Sequence, residues 1–262
     1  MLRSLFIAAT GMNAQKLSID VVSNNLANVS TYGYKQGRAE FQDLMYQAMK
    51  SPGGPTAEGL KSPTGEQIGL GVRPVSVGKI FKQGDFINTN NELDVAIEGD
   101  GFFQITMPDG TIAYSRAGAF KLDSDGKIVN DDGYPLEPEL TVPQDTTAIT
   151  IGSDGLVTAQ QNNQTTLTQL GQIELARFVN PAGLKAIGKN LYQESEASGT
   201  PTVSTPGLQG FGSLAQGFLE TSNVSVVDEM VNMIVSQRAY EINSKAVQTS
   251  DEMLQLANSM KR

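Results

Sequence analysis

The sequence predicts an α+β fold, in which N- and C-terminal helices pair as a coiled coil and a central antiparallel β-rich domain with an extended arm lies between them in the chain. Apolar residues recur with a helical period near both ends of the chain and with a period of two in its middle. A stretch rich in Pro and Gly separates the first helix from the β region, which predicts the arm.

The first helix is predicted over residues 2–29, because apolar side chains there recur at alternating spacings of three and four. Lys16 and Ser23 interrupt this seam, and Gly11 weakens the helix locally. The helix should end near Asn28, since a turn sequence follows it. The seam residues assigned to an assembly interface are Leu2, Leu5, Ala9, Met12, Ile19 and Leu26.

The last helix is predicted from about Ser225 to Met260, a segment without Pro or Gly. Ser225 and Asp228 have the spacing of a capping box, with Asp in place of Glu or Gln. Neither terminal seam could be buried on its own, so the two helices should pair with each other. The apolar stripe assigned to the interface contains Val227, Val231, Val235, Ile242, Ala246, Met253, Leu256 and Met260.

The middle of the chain contains short alternating runs separated by Asp, Gly and Pro, which is typical of β-hairpins. Strands are expected near residues 102–105, 111–114, 119–122, 127–129, 148–151, 156–158 and 172–179. We expect four segments: a helical domain from residues 1–36 and 222–262, a connecting arm at 37–71 and a β-rich outer domain at 72–221.

The composition excludes much of enzyme chemistry, because the chain has no His, no Cys and no Trp. It therefore has no disulfide, no His- or Cys-based zinc site and no His-activated nucleophile, and we predict no cofactor and no metal. The net charge of −9 argues against nucleic-acid binding. The charge divides into +2 for residues 1–40, −1 for residues 222–262 and −10 between them, which suggests ends that pack and a middle that faces water.

No run of apolar residues is long enough to cross a membrane. The N-terminus has Arg3 ahead of a short apolar run, Leu5 to Ala9, which is shorter than the apolar core of a secretory signal. We therefore expect no cleaved signal peptide.

Three motifs carry a resemblance to the flagellar rod and hook proteins. The segment 24–35, Asn-Asn-Leu-Ala-Asn-Val-Ser-Thr-Tyr-Gly-Tyr-Lys, resembles the signature that closes the first helix of that family. Segments 222–230 with 237–245, and 99–103 with 114–120, resemble the C-terminal and β-region signatures. The signature positions matched at the N-terminal end are Asn25, Asn28, Thr31, Gly33, Tyr34 and Lys35.

Within the family, the chain is most similar to the distal rod branch. Its length favours a rod member over the hook protein, which usually carries an extra outer domain. Residues 46–67 match an inserted arm that the resemblance links to locking of neighbouring subunits and stiffness of the rod. The arm residues singled out are Tyr46, Pro52, Pro55, Pro63 and Gln67.

The resemblance implies a structural subunit that polymerises into a rigid, hollow helical driveshaft, transmits motor torque to the hook and lets export substrates pass. Implied partners are further copies of the chain, the proximal rod proteins, the hook protein, the surrounding P and L ring proteins and the flagellar type III export apparatus, with no nucleic acid and no small-molecule substrate. The implied location is the periplasm-spanning rod of the flagellar basal body.

Three other functions remain open from the sequence alone. The chain could be a proximal rod or hook paralogue, which would lack the stiffening arm. It could be a surface β-rich binding protein or adhesin, which would remain monomeric. A carboxylate-based enzyme would need one of the acidic pairs, Asp94 with Glu98 or Glu137 with Glu139, to lie in a cleft.

Overall fold

A computed structural model describes residues 2–50, 55–57, 60–61, 63–161 and 167–260. The chain divides into two compact units. Unit 1 contains residues 1–27, 37–78 and 225–262, and unit 2 contains residues 28–36 and 79–224. Pro52 of the predicted arm lies outside the described residues.

The regular elements of unit 1 are two long helices and six short strands, of which the last reaches the boundary with unit 2. These elements are α1 Leu2–Ala27, β1 Gly37–Asp43, β2 Tyr46–Lys50, β3 Pro55–Ala57, β4 Leu60–Lys61, β5 Glu66–Gly69, β6 Val72–Lys79 and α2 Val226–Ser259.

Unit 2 is built mainly from short strands. These are β7 Phe86–Asn88, β8 Val95–Glu98, β9 Phe102–Thr106, β10 Ile112–Ser115, β11 Lys121–Leu122, β12 Ile128–Val129, β13 Leu136–Glu137, β14 Thr146–Ile151, β15 Leu156–Gln161, β16 Leu167–Gln172, β17 Leu175–Arg177, β18 Lys185–Gly188, β19 Leu191–Gln193, β20 Thr202–Ser204, β21 Ser213–Gln216 and β22 Phe218–Glu220, with a 3₁₀ turn at Pro181–Gly183.

Both predicted helices are confirmed, and each begins or ends close to its sequence signal. The first ends at Ala27, just before Asn28. The second starts at Val226, and the Ser225 side chain accepts a hydrogen bond from the backbone N–H of Asp228. This bond satisfies one of the four N–H groups that a helix start leaves without a partner.

The segment between the helices of unit 1 is a nested series of paired strands. Strand β1 pairs with β6, and inside that pair β2 runs antiparallel to β5 and β3 runs antiparallel to β4. Tyr46 lies opposite Gly69, and Ala48 lies opposite Gln67. The described part of the Pro- and Gly-rich stretch, which the sequence predicts as an extended arm, is therefore a β ribbon.

The main sheet of unit 2 has seven strands and is centred on β9. The order is β18-β19-β10-β9-β17-β20, and β13 also pairs with β9. Predicted hairpins join β9 to β10 and β11 to β12. Their turns contain Gly110 and Gly126, both with positive φ, which glycine adopts without steric cost.

The core of unit 2 is apolar and closed. One cluster around Ile97, Phe103 and Leu175 is almost fully buried. A second, aromatic cluster gathers Phe102 and Tyr192, whose rings meet Phe81 edge-on at centroid distances of 5.5 and 5.3 Å. Such edge-to-face contacts add to the stabilisation that burial already provides. The expected single strand at 172–179 is instead the end of β16 followed by β17.

Candidate assembly surfaces

The two helices of unit 1 contact each other through small and polar residues spaced seven apart. Ser4 lies 3.3 Å from Ser250, and Ser18 lies 3.0 Å from Ser236, each measured between hydroxyl oxygens. A Cβ on Gly11 would approach the Asn243 side chain to 2.9 Å. The contacts show that the helices run antiparallel. We call this set the polar ladder: Ser4, Gly11, Ser18 and Asn25 on α1, facing Ser250, Asn243, Ser236 and Glu229 on α2.

The seam predicted on α1 is not the face that contacts α2 most closely. Fully buried apolar residues of this helix are Ala8, Ala14 and Val22, none of which belongs to the predicted set. Of the predicted residues, Ala9 is exposed, and Leu5, Met12, Ile19 and Leu26 are half-buried. Leu2 begins the helix, but its side chain lies outside the described part of the chain.

The apolar stripe predicted on α2 lies in solvent, so the expectation that it packs on the first seam within the chain is wrong. Val227 is 71% exposed, Ile242 68% and Leu256 64%. The physical reason is that α2 turns its buried Glu229, Ser236 and Ser250 toward α1 instead. The other stripe residues, Val231, Val235, Ala246, Met253 and Met260, are exposed as well.

Asn25 joins α1 to α2 and to Gly37, the first residue of β1. Its side-chain amide donates to the carbonyl of Gly37 and accepts from the N–H of Gly37, both at 2.8 Å. The same amide nitrogen donates to Glu229 at 3.2 Å. The amide thus pairs with a backbone peptide as a neighbouring strand would, which favours a junction role over helix termination for this residue.

Asn28 and Thr31 form the turn that follows the first helix. The Thr31 N–H donates to the Asn28 carbonyl at 3.1 Å, and its hydroxyl donates to the Asn28 side chain at 3.3 Å. Gly33 has a φ of +68°, and a Cβ there would lie 2.5 Å from the backbone nitrogen of Ala117. Only glycine fits this position, because both the backbone angle and the space exclude a side chain.

Lys35 closes the N-terminal signature inside a buried ion cluster of unit 2. Its ammonium donates to the Glu220 carboxylate and to the carbonyl of Lys82. The second oxygen of Glu220 lies 3.1 Å from Arg116, and both the Lys35 and Glu220 side chains are 0% exposed. We call Lys35, Arg116 and Glu220 the ion cluster.

Neutral partners complete the ion cluster. Arg116 donates to the carbonyls of Gly99 and Gly101 at 2.8 and 2.7 Å, and Glu220 accepts from the N–H of Gly84 at 3.0 Å. The Glu220 carbonyl also accepts from the N–H of Gly33 at 2.8 Å. Residues from the N-terminal and β-region signatures therefore meet at one carboxylate.

Burial sets the electrostatics around the ion cluster. It lowers the pKa of Lys35; the carboxylate of Glu220 opposes this change, and the positive charge of Arg116 adds to it. Burial also lowers the pKa of Lys79, whose ammonium lies 4.0 Å from the centre of the Tyr34 ring and donates to the carbonyl of Lys35. Tyr34 thus packs under a second cation, an arrangement that stabilises a partly desolvated ammonium.

The described residues of the ribbon expose large side chains. Met45 is 82% exposed, and Tyr46 and Met49 are each 57% exposed. Gln67 and Pro63 are exposed, whereas Pro55 begins β3 and its side chain lies outside the description. A hydrogen bond to Asp43 raises the pKa of the Tyr46 hydroxyl.

Sequence reasoning missed Glu220, Glu229 and the serines of the polar ladder. The ladder had a readable signal, since small or polar residues recur every seven positions on both helices. Glu220 had none, because its partner Lys35 is 185 positions away and only the fold brings them together.

The acidic pairs considered for catalysis serve separate structural contacts. Asp94 accepts from the Asn91 amide at 2.9 Å, Glu137 accepts from the Thr106 hydroxyl at 2.9 Å, and Glu139 pairs with Lys127. Among the described residues, no group of acidic side chains is arranged to hold a metal ion. Over the same residues, neither helix combines the length and apolar character needed to span a bilayer.

Comparison with known proteins matches both units. Family models for the flagellar basal body rod protein, the flagellar hook protein FlgE/F/G D1 domain and the flagellar basal body rod FlgEFG protein C-terminal region match residues 5–35, 96–159 and 215–260. The flagellar basal-body rod protein FlgG of Buchnera aphidicola from Schizaphis graminum is 52% identical over 97% of this chain and 98% of its own. The chain belongs to the flagellar basal-body rod and hook protein family. The FlgG proteins of Borreliella burgdorferi and Bacillus subtilis are 50% and 42% identical, each over the full length of both chains.

The matched family segments contain the main contacts described above. The rod-protein match at 5–35 ends on Lys35 of the ion cluster, and the C-terminal match at 215–260 contains its partner Glu220. The same two matches contain three of the four rungs of the polar ladder. The segments matched near the two ends of the chain therefore contact each other at both the ion cluster and the polar ladder.

Proposed function

We propose that the chain is the structural subunit of the flagellar distal rod, which polymerises into a rigid, hollow helical driveshaft. The observation that carries this is the exposed apolar stripe on α2. A helix that presents Val227, Val231 and Ile242 to water is incomplete on its own, because apolar side chains gain stability only when another surface covers them. A further copy of the chain is the partner that a polymer supplies.

In the assembly, α1 and α2 form a coiled-coil inner layer around a central channel. Contacts between different faces of successive copies produce an open helix, which grows without closing into a ring. The subunit works by transmitting torque and carries out no catalysis. Neighbours along the axis are the proximal rod proteins and the hook protein, and the P and L ring proteins surround it.

The ribbon between β1 and β6 stiffens the rod. Met45, Tyr46 and Met49 project from it, which gives one subunit apolar anchors on its neighbour. This feature separates the distal rod from the proximal rod and hook alternatives. The chain reaches its site through the flagellar type III export apparatus.

The stripe is tested by replacing one exposed apolar residue of α2 with Asp. The I242D variant should fold as the wild type does but should lose polymerisation, measured by sedimentation and electron microscopy. Q248D is the matched control, since Gln248 is also exposed on α2 but lies outside the stripe. Normal rods from I242D, or a wild-type chain that stays monomeric, would overturn the proposal and favour the adhesin alternative.

Two deletions test the proposed roles of the first helix and of the ribbon. A chain lacking residues 1–30 should form no rods, and rods from it would exclude the inner-layer role. A chain lacking residues 46–67 should form curved or pliable rods. Straight rods from this second deletion would remove the ribbon as the source of stiffness.

A further inference from the structure

On α2 the residues buried in the α1–α2 contact are polar, while the apolar stripe of the same helix remains outside. Ser250, Ser236 and Glu229 are buried on α2 at intervals of seven, and each meets a polar residue of α1. A contact driven by apolar burial alone would turn the stripe of α2 toward the seam of α1. The choice of this face therefore has a further physical cause beside the burial of Ala8, Ala14 and Val22 on α1.

The polar ladder supplies that cause because its pairs fit in one register only. A shift of seven residues would place Glu229 opposite Ser18 and would separate it from the Asn25 amide. The same shift would place Ser4, which has a Cβ, opposite Asn243. A Cβ on Gly11 would lie 2.9 Å from the amide nitrogen at the end of the Asn243 side chain, so a residue with a Cβ there requires that side chain to move. Loss of the Ser18–Ser236 and Asn25–Glu229 contacts makes this shifted register less stable.

We propose that the polar ladder is the specificity determinant of the helix pair. It directs α2 to the α1 helix of its own chain, in antiparallel register, and excludes pairing of the two apolar seams. A single buried polar residue is known to fix register and partner number in coiled coils, and this pair uses four rungs. The consequence for assembly, which rests on the proposed function, is that the α2 stripe stays free for a second copy.

The chain has no cysteine, so engineered pairs report the register without background. S4C/S250C should form a disulfide within one chain, because the two hydroxyl oxygens are 3.3 Å apart. A9C/A246C reports seam-on-seam pairing, since both alanines lie on the predicted seams and both are exposed in the structure. Each pair is oxidised in the full-length chain, and intrachain and interchain products are separated by gel mobility and intact mass.

The ladder is then weakened in both reporter chains with S18A/S236A, which removes one hydrogen-bonded rung. The ratio of S4C/S250C to A9C/A246C intrachain disulfide should fall about fivefold, the effect expected from losing a typical hydrogen bond. The matched control S23A/Q248A changes exposed polar residues of the same helices and should leave the ratio unchanged.

An unchanged ratio in S18A/S236A would overturn the proposal, and so would a dominant A9C/A246C disulfide in the chain with an intact ladder. The oxidation is carried out on both soluble and polymerised chains, which separates this inference from the proposed function. A chain that forms the S4C/S250C disulfide but never polymerises would support the ladder and overturn the rod subunit.

Discussion

Unit 1 and unit 2 use polar and apolar residues in opposite ways. In unit 2 an apolar cluster is enclosed, and a charged group, the ion cluster, is buried as well. In unit 1 the polar groups meet at the helix contact and the apolar stripe of α2 is outside. The difference teaches that unit 2 is complete within one chain, whereas unit 1 becomes complete only when another surface covers its stripe.

The largest expected effect is a loss of stability when the ion cluster of unit 2 is disrupted. E220Q removes the one carboxylate that faces Lys35 and Arg116, so two buried cations remain without a counter-charge. The free energy of unfolding should fall by about 3–5 kcal/mol. Chemical denaturation followed by near-UV circular dichroism measures it. The control is E139Q, because Glu139 pairs with Lys127 at the surface and should cost at most about 1 kcal/mol. Equal losses of stability in both variants would show that the buried ion cluster contributes no more than a surface ion pair.

The next effect concerns the turn that enters unit 2. G33A adds a Cβ where the backbone nitrogen of Ala117 is 2.5 Å away and φ is +68°. Strain in the backbone and overpacking together should cost about 2–4 kcal/mol. G110A is the matched control, since its φ is +79° and nothing lies within 4 Å. It should lose only about 1–2 kcal/mol, and a G33A variant no worse than G110A would contradict the close-contact explanation.

A smaller effect tests the junction of unit 1. N25A removes the amide that donates to and accepts from Gly37, which leaves buried backbone groups without partners. Amide hydrogens of α1 and β1 should exchange faster. The free energy of local opening calculated from their exchange rates should fall by about 1–3 kcal/mol. N13A changes an exposed residue of the same helix and should leave exchange unchanged. Wild-type protection in N25A would remove Asn25 from the junction.

The smallest effect is a pH dependence of unit 2. Burial raises the pKa of Tyr192, and the nearby Tyr34 and Glu220 raise it further. A group with a raised folded pKa contributes stability that is complete below its unfolded pKa of about 10 and is lost as pH rises above that value. By pH 11 the loss should be about 1 kcal/mol.

Y192F should remove this part of the alkaline destabilisation, measured as the difference in thermal unfolding between pH 9 and pH 11. Y240F is the control, because Tyr240 is exposed on α2. A Y192F variant with the same alkaline slope as the wild type would show that another group titrates.

Much of the fold could be predicted because its signals are local. The capped start of α2 and the turns with Gly110 and Gly126 depend on neighbouring residues, and all three appear where the sequence placed them. The helix contact could not be predicted from apolar periodicity, because polar pairs such as Ser18 and Ser236 lie in it while the apolar stripe of α2 lies outside. The role of Glu220 in the ion cluster could not be predicted for a different reason, because its partners are distant in the sequence.

The separation between Lys35 and Glu220 has a consequence for the time course of folding. A growing chain emerges N-terminus first, and Glu220 appears 185 residues after Lys35. Until then Lys35 and Arg116 have no counter-ion and must remain hydrated, because burying an unpaired cation is too unfavourable. The ion cluster, and with it the last closure of unit 2, can therefore form only after Glu220 has been synthesised.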